Sequence, residues 1–401
     1  MDTDRRGVWA VVGCSAAVFW SGAFIFGFPG VMAPYWQQTL NVGRGAIGNI
    51  LFFMLAAVGI FMFFVGHWQE RVGIRWMITI GTVVMGANFF FAFYASSLFL
   101  LYLWAFIMGA ASCFVYVPAL TTVQRWFPMR RGLVSGIVNL TFGGAAAVMA
   151  PVFSYLLECI GYFAMMGSIS VAAVVLGAVA AQFTEPPATD SIQSQAPSAN
   201  SSTLGPSLTV SQSLRTRSFW CLWLTWALQG AAGIAMVTLS TAFGVSKGHG
   251  LDSAVFILTA FNLTNGLGRF MGGFLSDIIG RNLTMSAAFM MSGLAYFGLP
   301  HTNWLFFSVM LAAVIGLAFG TLFGVSAPLA TDCFGIRNFG AIFGLVFTAY
   351  GFLSGAIGPS LSGYLLDITQ GNYVIVFGYL GVFCIISSLT VLFVRPPRSV
   401  H

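Results

Sequence analysis

Charge is scarce in this chain. Of 401 residues, 16 are Lys or Arg and 10 are Asp or Glu, so 6% are charged, against about 25% in a typical soluble domain. With 58% hydrophobic residues, there is too little polar surface to cover a soluble fold. Histidine is rare as well: His67, His249, His301 and His401 all fall in loops or at the terminus. Catalysis within a membrane needs paired aspartates, a Ser/His pair or an H-E-x-x-H helix, and the sequence offers none of them at membrane depth. The chain therefore reads as a non-enzyme that calls for no cofactor. Its six cysteines, Cys14, Cys113, Cys159, Cys221, Cys333 and Cys384, are scattered without C-x-x-C spacing, which suits buried free thiols rather than a metal or redox centre.

What the sequence has instead is long apolar runs. A membrane-spanning helix needs about 20 such residues, and twelve stretches qualify: 8–33, 46–66, 75–95, 98–124, 132–157, 162–183, 218–246, 252–275, 282–300, 303–330, 338–367 and 372–394, called spans one to twelve below. The first follows Arg5 and Arg6, but it is too long for the apolar core of a signal peptide and has no small-residue cleavage site, so it reads as a span. The net charge of +6 reports topology and implies no nucleic-acid partner. With both termini inside, Arg5, Arg6, Arg71, Arg75, Arg125, Arg130, Arg131, Arg215, Arg217, Arg281, Arg337, Arg395 and Arg398 lie on the cytoplasmic side, leaving only Arg44 and Lys247 outside. That bias predicts a multi-pass protein of the cytoplasmic (inner) membrane with cytoplasmic termini and an even number of crossings.

Residues 184–217 interrupt the pattern with Ser, Pro, Thr and Gln. They read as a cytoplasmic, mostly disordered linker between an N-terminal six-helix bundle, 1–183, and a C-terminal one, 218–401. The two halves repeat each other. Gly66-His67-Trp68-Gln69-Glu70-Arg71-Val72-Gly73-Ile74-Arg75 joins spans two and three, and Gly273-Phe274-Leu275-Ser276-Asp277-Ile278-Ile279-Gly280-Arg281 joins eight and nine, offset by 273 − 66 = 207 positions. Arg131-Gly132-x-x-x-Gly136 after span four matches Asn338-Phe339-Gly340-x-x-x-Gly344 after span ten, offset by 340 − 132 = 208. Two motifs at offsets within one residue of each other mark a structural repeat. In these loops glycine permits close helix approach, Glu70 or Asp277 can accept hydrogen bonds, and the basic residues anchor the interface.

These motifs carry a resemblance. G-x-L-S-D-x-x-G-R at 273–281 resembles the signature loop of the major facilitator superfamily, and the first copy matches it with Glu70 for the usual Asp and Trp68 for the usual Leu. Arg6-Gly7-Val8-Trp9-Ala10 and Arg125-Trp126-Phe127-Pro128-Met129-Arg130-Arg131-Gly132-Leu133-Val134-Ser135-Gly136 resemble the monocarboxylate transporter family and its oxalate/formate relatives. The resemblance implies an all-α membrane protein of twelve helices in two pseudo-symmetric halves. It also implies a secondary carrier, a bacterial homologue of the animal lactate and pyruvate carriers, working by proton symport. Exchange of organic anions without protons is the alternative, and a single chain is expected to suffice.

One cation interrupts the apolar spans at depth, Arg269 in span eight. Burying a charge in hydrocarbon costs at least about 2.5 kcal/mol, so such a residue faces protein or a polar cavity. Asn262, Asn265 and Arg269 recur at i, i+3 and i+7, one polar stripe on an otherwise apolar helix. Tyr116, Asn139 and Tyr350 lie about 12–20 Å from the cytoplasmic ends of their spans, within reach of a common cavity, and Phe28, with Phe19, Trp20 and Phe24, is a candidate apolar wall. One guanidinium fork matches one carboxylate, so monocarboxylates such as L-lactate or pyruvate fit better than dicarboxylates. In the resembled family the arginine on span eight contacts the substrate carboxylate. That family often has Asp where this chain has Asn265 and Lys where it has Gly30, and the resembled oxalate carrier has a second cation on span eleven that residues 340–358 lack. With no deep acid, the proton falls to the substrate or to a cavity-edge carboxylate, Asp252, Asp277 or Asp332. A competing role for Arg269 is an ion pair with Asp277 or Asp332 reaching in from below.

Overall fold

The computed structural model describes residues 2–94, 97–127, 131–187, 208–335 and 339–396, and these contain helices and loops but no strand. Among them, ten helices are long and apolar enough to cross a membrane. One is the 51-residue helix Arg131–Ala181, which as a straight rod would run about 77 Å, against a hydrocarbon core of about 30 Å. It breaks at Gly161 (φ 75°, ψ 172°). Beyond that glycine the chain runs back beside span three, where Ser170 donates to the Gly86 carbonyl, so this helix supplies spans five and six. Leu251–Ile279, 29 residues long, is less apolar because it carries the Asn262, Asn265 and Arg269 stripe, and it forms span eight. Twelve crossings result, as the sequence pattern predicts.

Helix ends differ from the apolar runs where polar residues continue a helix. Span one runs through Asp2–Gly22, a π-helical segment Ala23–Gly27 and Phe28–Leu40, seven residues past the apolar run. Span eleven is similarly composite: Phe339–Thr348, π-helical segments Ala349–Ser354 and Ala356–Ser360, then Leu361–Ile368. Pro29 and Pro359 lack the N–H that the α-helical ladder needs, which favours the widened turns just before and around them. The stretch read as a disordered linker is partly ordered. Val210–Leu214 is a short helix held by a capping box between Thr209 and Gln212, a T-x-x-Q pattern that satisfies two otherwise free backbone donors. Residues 188–207 lie outside the described residues.

Both repeat loops have the same backbone. Gly73 (φ 90°, ψ 136°) and Gly280 (φ 92°, ψ 146°) each end one helix and start the next, a conformation costly for any residue with a Cβ. Their separation, 280 − 73 = 207 positions, equals the sequence offset. Arg75 donates to Gln182 through Nε (3.1 Å) and Nη2 (2.5 Å), while Arg281 pairs with Asp332 at 2.6 Å. Arg71, Gly273 and Asp277 lie at this end too, and Asp277 is exposed. Gly66, Glu70, Arg131 and Gly132, named for the same motifs, are on described helices, but what surrounds them lies outside the described residues.

These loops share one end of the bundle, called the terminal end, with the first and last described residues; the opposite end is called distal. Small residues set the close packing between the halves. On the central axis Gly143 of span five faces Gly266 of span eight, and a Cβ at Gly266 would stand 2.8 Å from the Gly144 nitrogen. Further toward the distal end, a Cβ at Gly30 of span one would overlap the Val237 carbonyl of span seven, and one at Gly48 of span two the Pro359 carbonyl of span eleven. Cross-half hydrogen bonds are made by Asn262 Nδ2 to the Phe26 carbonyl (3.3 Å) and, at the distal end, by Arg44, Gly45 and Asn49 to span eleven. The distal side is thus closed.

Candidate functional site

Arg269 is positioned by the packing of span eight on span ten. Gly316, Gly320 and Gly324 recur every fourth residue on Leu305–Phe334, and a Cβ at each would overlap the carbonyl oxygen of Phe261, Asn265 and Arg269 respectively. Backbone thus lies on backbone along the helix that carries the arginine, leaving its side chain to point at the opposite half. This small-xxx-small ladder is legible in the sequence, although its role in placing Arg269 is not.

Arg269 is 3% exposed, and its guanidinium is enclosed by three phenyl rings. Its Cζ lies 4.1 Å from the centroid of Phe323, 5.1 Å from Phe142 and 5.7 Å from Phe26. The last two rings belong to the N-terminal half, so the cation sits at the junction of the halves. Ring faces attract a buried cation by about 0.5–2 kcal/mol each, which offsets part of its desolvation without neutralising it. Nε donates to Asn265 Oδ1 at 3.4 Å. Nη1 and Nη2 have no hydrogen-bond partner among the described residues, nor does any described carboxylate form a salt bridge with Arg269. The proposed pair with Asp332 is not formed, because Asp332 is held by Arg281.

Around this cation the structure gathers most of the predicted residues. The Tyr116 hydroxyl donates to Asn139 Oδ1 at 2.5 Å, and the Tyr116 ring lies 4.7 Å from Phe142, which itself covers Arg269. Tyr350, 3% exposed, stands on a π-helical turn of span eleven with its ring 5.6 Å from Phe323, and its hydroxyl has no partner among the described residues. Because Arg269 Nε points at Asn265 Oδ1, the amide orientation is set; Nδ2 is then a donor, and it too is unpartnered. Asn262 lies farther along the stripe and bridges to the Phe26 carbonyl. The unpartnered groups of the stripe and of Tyr350 are mostly donors, the two guanidinium Nη atoms, Asn265 Nδ2 and the Tyr350 hydroxyl, with Asn262 Oδ1 an unpartnered acceptor. A planar anion with acceptor oxygens is the chemistry that would match the donors.

Phe28 lies away from this cation. It packs fully buried within the N-terminal half, its ring within 5.8 Å of Trp36, Phe89, Trp104 and Phe153. Trp20, Phe24 and Phe28 follow one i, i+4 stripe, and that stripe is the face the bundle buries. Phe26, on the opposite face, reaches Arg269 and also Phe319 at 6.0 Å. Sequence reading missed Phe26, Phe142, Phe319 and Phe323 because, with 41 phenylalanines, composition does not distinguish a cavity wall from packing. Asp252 and Asp277 are exposed and Asp332 is in an ion pair, so these three stand at the two ends of the bundle, away from the cation. No cluster of described residues could hold a metal ion.

A helical membrane protein with a polar site enclosed between two six-helix halves is the class these observations define. The Major Facilitator Superfamily profile matches residues 14–258 and 252–401; the chain belongs to that superfamily and is a transporter. Among curated relatives, the oxalate:formate antiporter of Oxalobacter formigenes is 28% identical over 307 residues, 74% of this chain and 71% of that one. Human monocarboxylate transporter 11 is 27% identical over 351 residues, 82% of this chain and 70% of that one. A crystal structure of a bacterial homologue of the human lysosomal transporter Spinster, inward-facing and occupied, shares the fold with a TM-score of 0.75 at 14% identity, over 96% of this chain and 95% of that one. These relatives are in keeping with the resemblance read from the motifs.

Proposed function

We propose that this transporter moves small monocarboxylates such as L-lactate or pyruvate across the cytoplasmic membrane, the two halves rocking about Arg269. The observation that carries this reading is the arginine itself: a buried, unneutralised guanidinium whose two terminal nitrogens are free to receive one carboxylate as a fork. A dianion would leave its second charge uncompensated in a ring-lined cavity. The relatives named as monocarboxylate transporter and oxalate:formate antiporter support an organic anion. Since the site is completed within one chain, a monomer suffices.

Coupling to protons would leave the proton on the substrate or on a cavity-edge carboxylate, Asp252, Asp277 or Asp332, given that no described carboxylate forms a salt bridge with Arg269; a substrate bound as the anion by Arg269 favours the edge carboxylates. Labelled short-chain acids should accumulate in proteoliposomes when the outside is more acidic than the lumen, and uptake indifferent to that gradient would discard symport. One observation favours exchange instead. Without an anion the site carries an uncompensated buried charge, which disfavours reorientation of the unloaded carrier. Trans-stimulation of uptake by internal substrate, with no pH effect, would then be the result.

Orientation rests on the thirteen-to-two placement of basic residues, with termini and linker cytoplasmic. A cysteine replacing Ser198, outside the described residues, should resist membrane-impermeant thiol reagents in intact cells. Ready labelling would reverse the topology.

A further inference from the structure

The start of span two is held by the other half of the molecule. Helix Arg44–Val72 begins at Gly43, which has no side chain to cap it, and the first four N–H groups of any helix lack partners within it. Two of them are taken by Asp367 at the end of span eleven: Arg44 N–H donates to Oδ1 and Gly45 N–H to Oδ2, each at 2.8 Å. The carboxylate does the work of an N-cap residue, but from 322 positions away in sequence. Its charge also complements the positive end of the helix dipole.

The surroundings are shaped for this approach. A Cβ on Gly43 would overlap Asp367 Oδ2, one on Gly45 would overlap the Tyr364 ring, and one on Gly363 would overlap the Arg44 carbonyl. Asn49 Nδ2 donates to the Tyr364 hydroxyl at 2.9 Å, one turn into the helix. Arg44 takes no salt bridge from the carboxylate in this arrangement; its guanidinium lies 5.8 Å from the Tyr373 ring centroid. Beneath these contacts, Thr238 and Ala33 line a cavity between the halves.

We propose that Asp367, with Tyr364 and the glycines of the span-two start, is the distal gate latch of the transport cycle, released each time the site opens to that side. This rests on the reading that the two halves rock, and is independent of which anion is carried. It places the latch in a carboxylate–backbone contact, so the partner cannot be removed by mutation of a side chain.

The test is the rate at which a maleimide labels Thr238→Cys in purified, detergent-solubilised protein, corrected for native cysteines. Asp367→Asn and Asp367→Ala should raise that rate at least threefold, and Tyr364→Phe should raise it by less. A second substitution distinguishes a latch from simple helix capping: Gly43→Asp combined with Asp367→Ala gives the helix a local cap but no tie between halves. Labelling that stays fast in the double variant supports the latch. A return to the parent rate, or no change in Asp367→Asn, overturns it. If Asp367 variants fail to purify, an Asn49→Cys/Tyr364→Cys pair reads the same gate. Cross-linking it should abolish transport reversibly on reduction, and undiminished transport in the cross-linked protein overturns the proposal. None of the accessibility readouts needs a substrate, so they stand whether or not monocarboxylates are carried.

Discussion

Arg269→Ala is expected to lose carboxylate binding by two orders of magnitude or more while remaining extractable as folded protein. Breaking one side of a buried ion pair costs about 3–5 kcal/mol, and about 1.4 kcal/mol is a factor of ten. Folding should survive, because the guanidinium has no carboxylate partner among the described residues and its removal also removes a burial cost. Arg269→Lys should recover little: an ammonium keeps the charge but loses the two-point fork and the planar stacking against Phe323, Phe142 and Phe26. Isothermal titration of the purified variants with lactate or pyruvate checks this. Parent-like affinity in a stable Arg269→Ala protein would end the binding role, and loss of folded protein rescued by removing an acid would reinstate a structural ion pair.

The second large effect is expected at Gly320. Any side chain there meets the Asn265 carbonyl and stands 2.9 Å from the Arg269 nitrogen, and backbone cannot step aside by changing rotamer. Gly320→Leu should force spans eight and ten apart, costing about 1–3 kcal/mol or more, and separate Arg269 from Phe323 of span ten. The expected outcome is a lowered melting temperature together with lost substrate binding. Gly167→Leu is the contrast: a Cβ there meets nothing within 4 Å, so it should leave both unchanged. Equal melting temperatures for the two variants would show that the glycine ladder does not set the helix spacing.

Hydropathy and charge placement predict twelve crossings and mark Arg269 as the one cation within the apolar spans, and the repeated loop motifs reveal two halves offset by 207–208 positions. Those features are legible because solvent and lipid act on every residue by its type, and because a repeated loop needs the same glycine conformation at Gly73 and Gly280 wherever it occurs. The polar stripe of Asn262, Asn265 and Arg269 is readable for the same reason, helical periodicity. Which aromatic rings surround the cation is not readable, since Phe26 and Phe28 differ only in the side of span one they occupy, and that side is chosen by how five other helices fill the space. The same holds for Asp332, whose partner Arg281 is settled by the packing of span nine against span ten, and for Asp367, whose partners are backbone groups of the other half. Sequence marks what must be buried or paired; only the packed helices decide with what, because contacts between distant segments depend on backbone separations that glycine positions permit but do not by themselves specify.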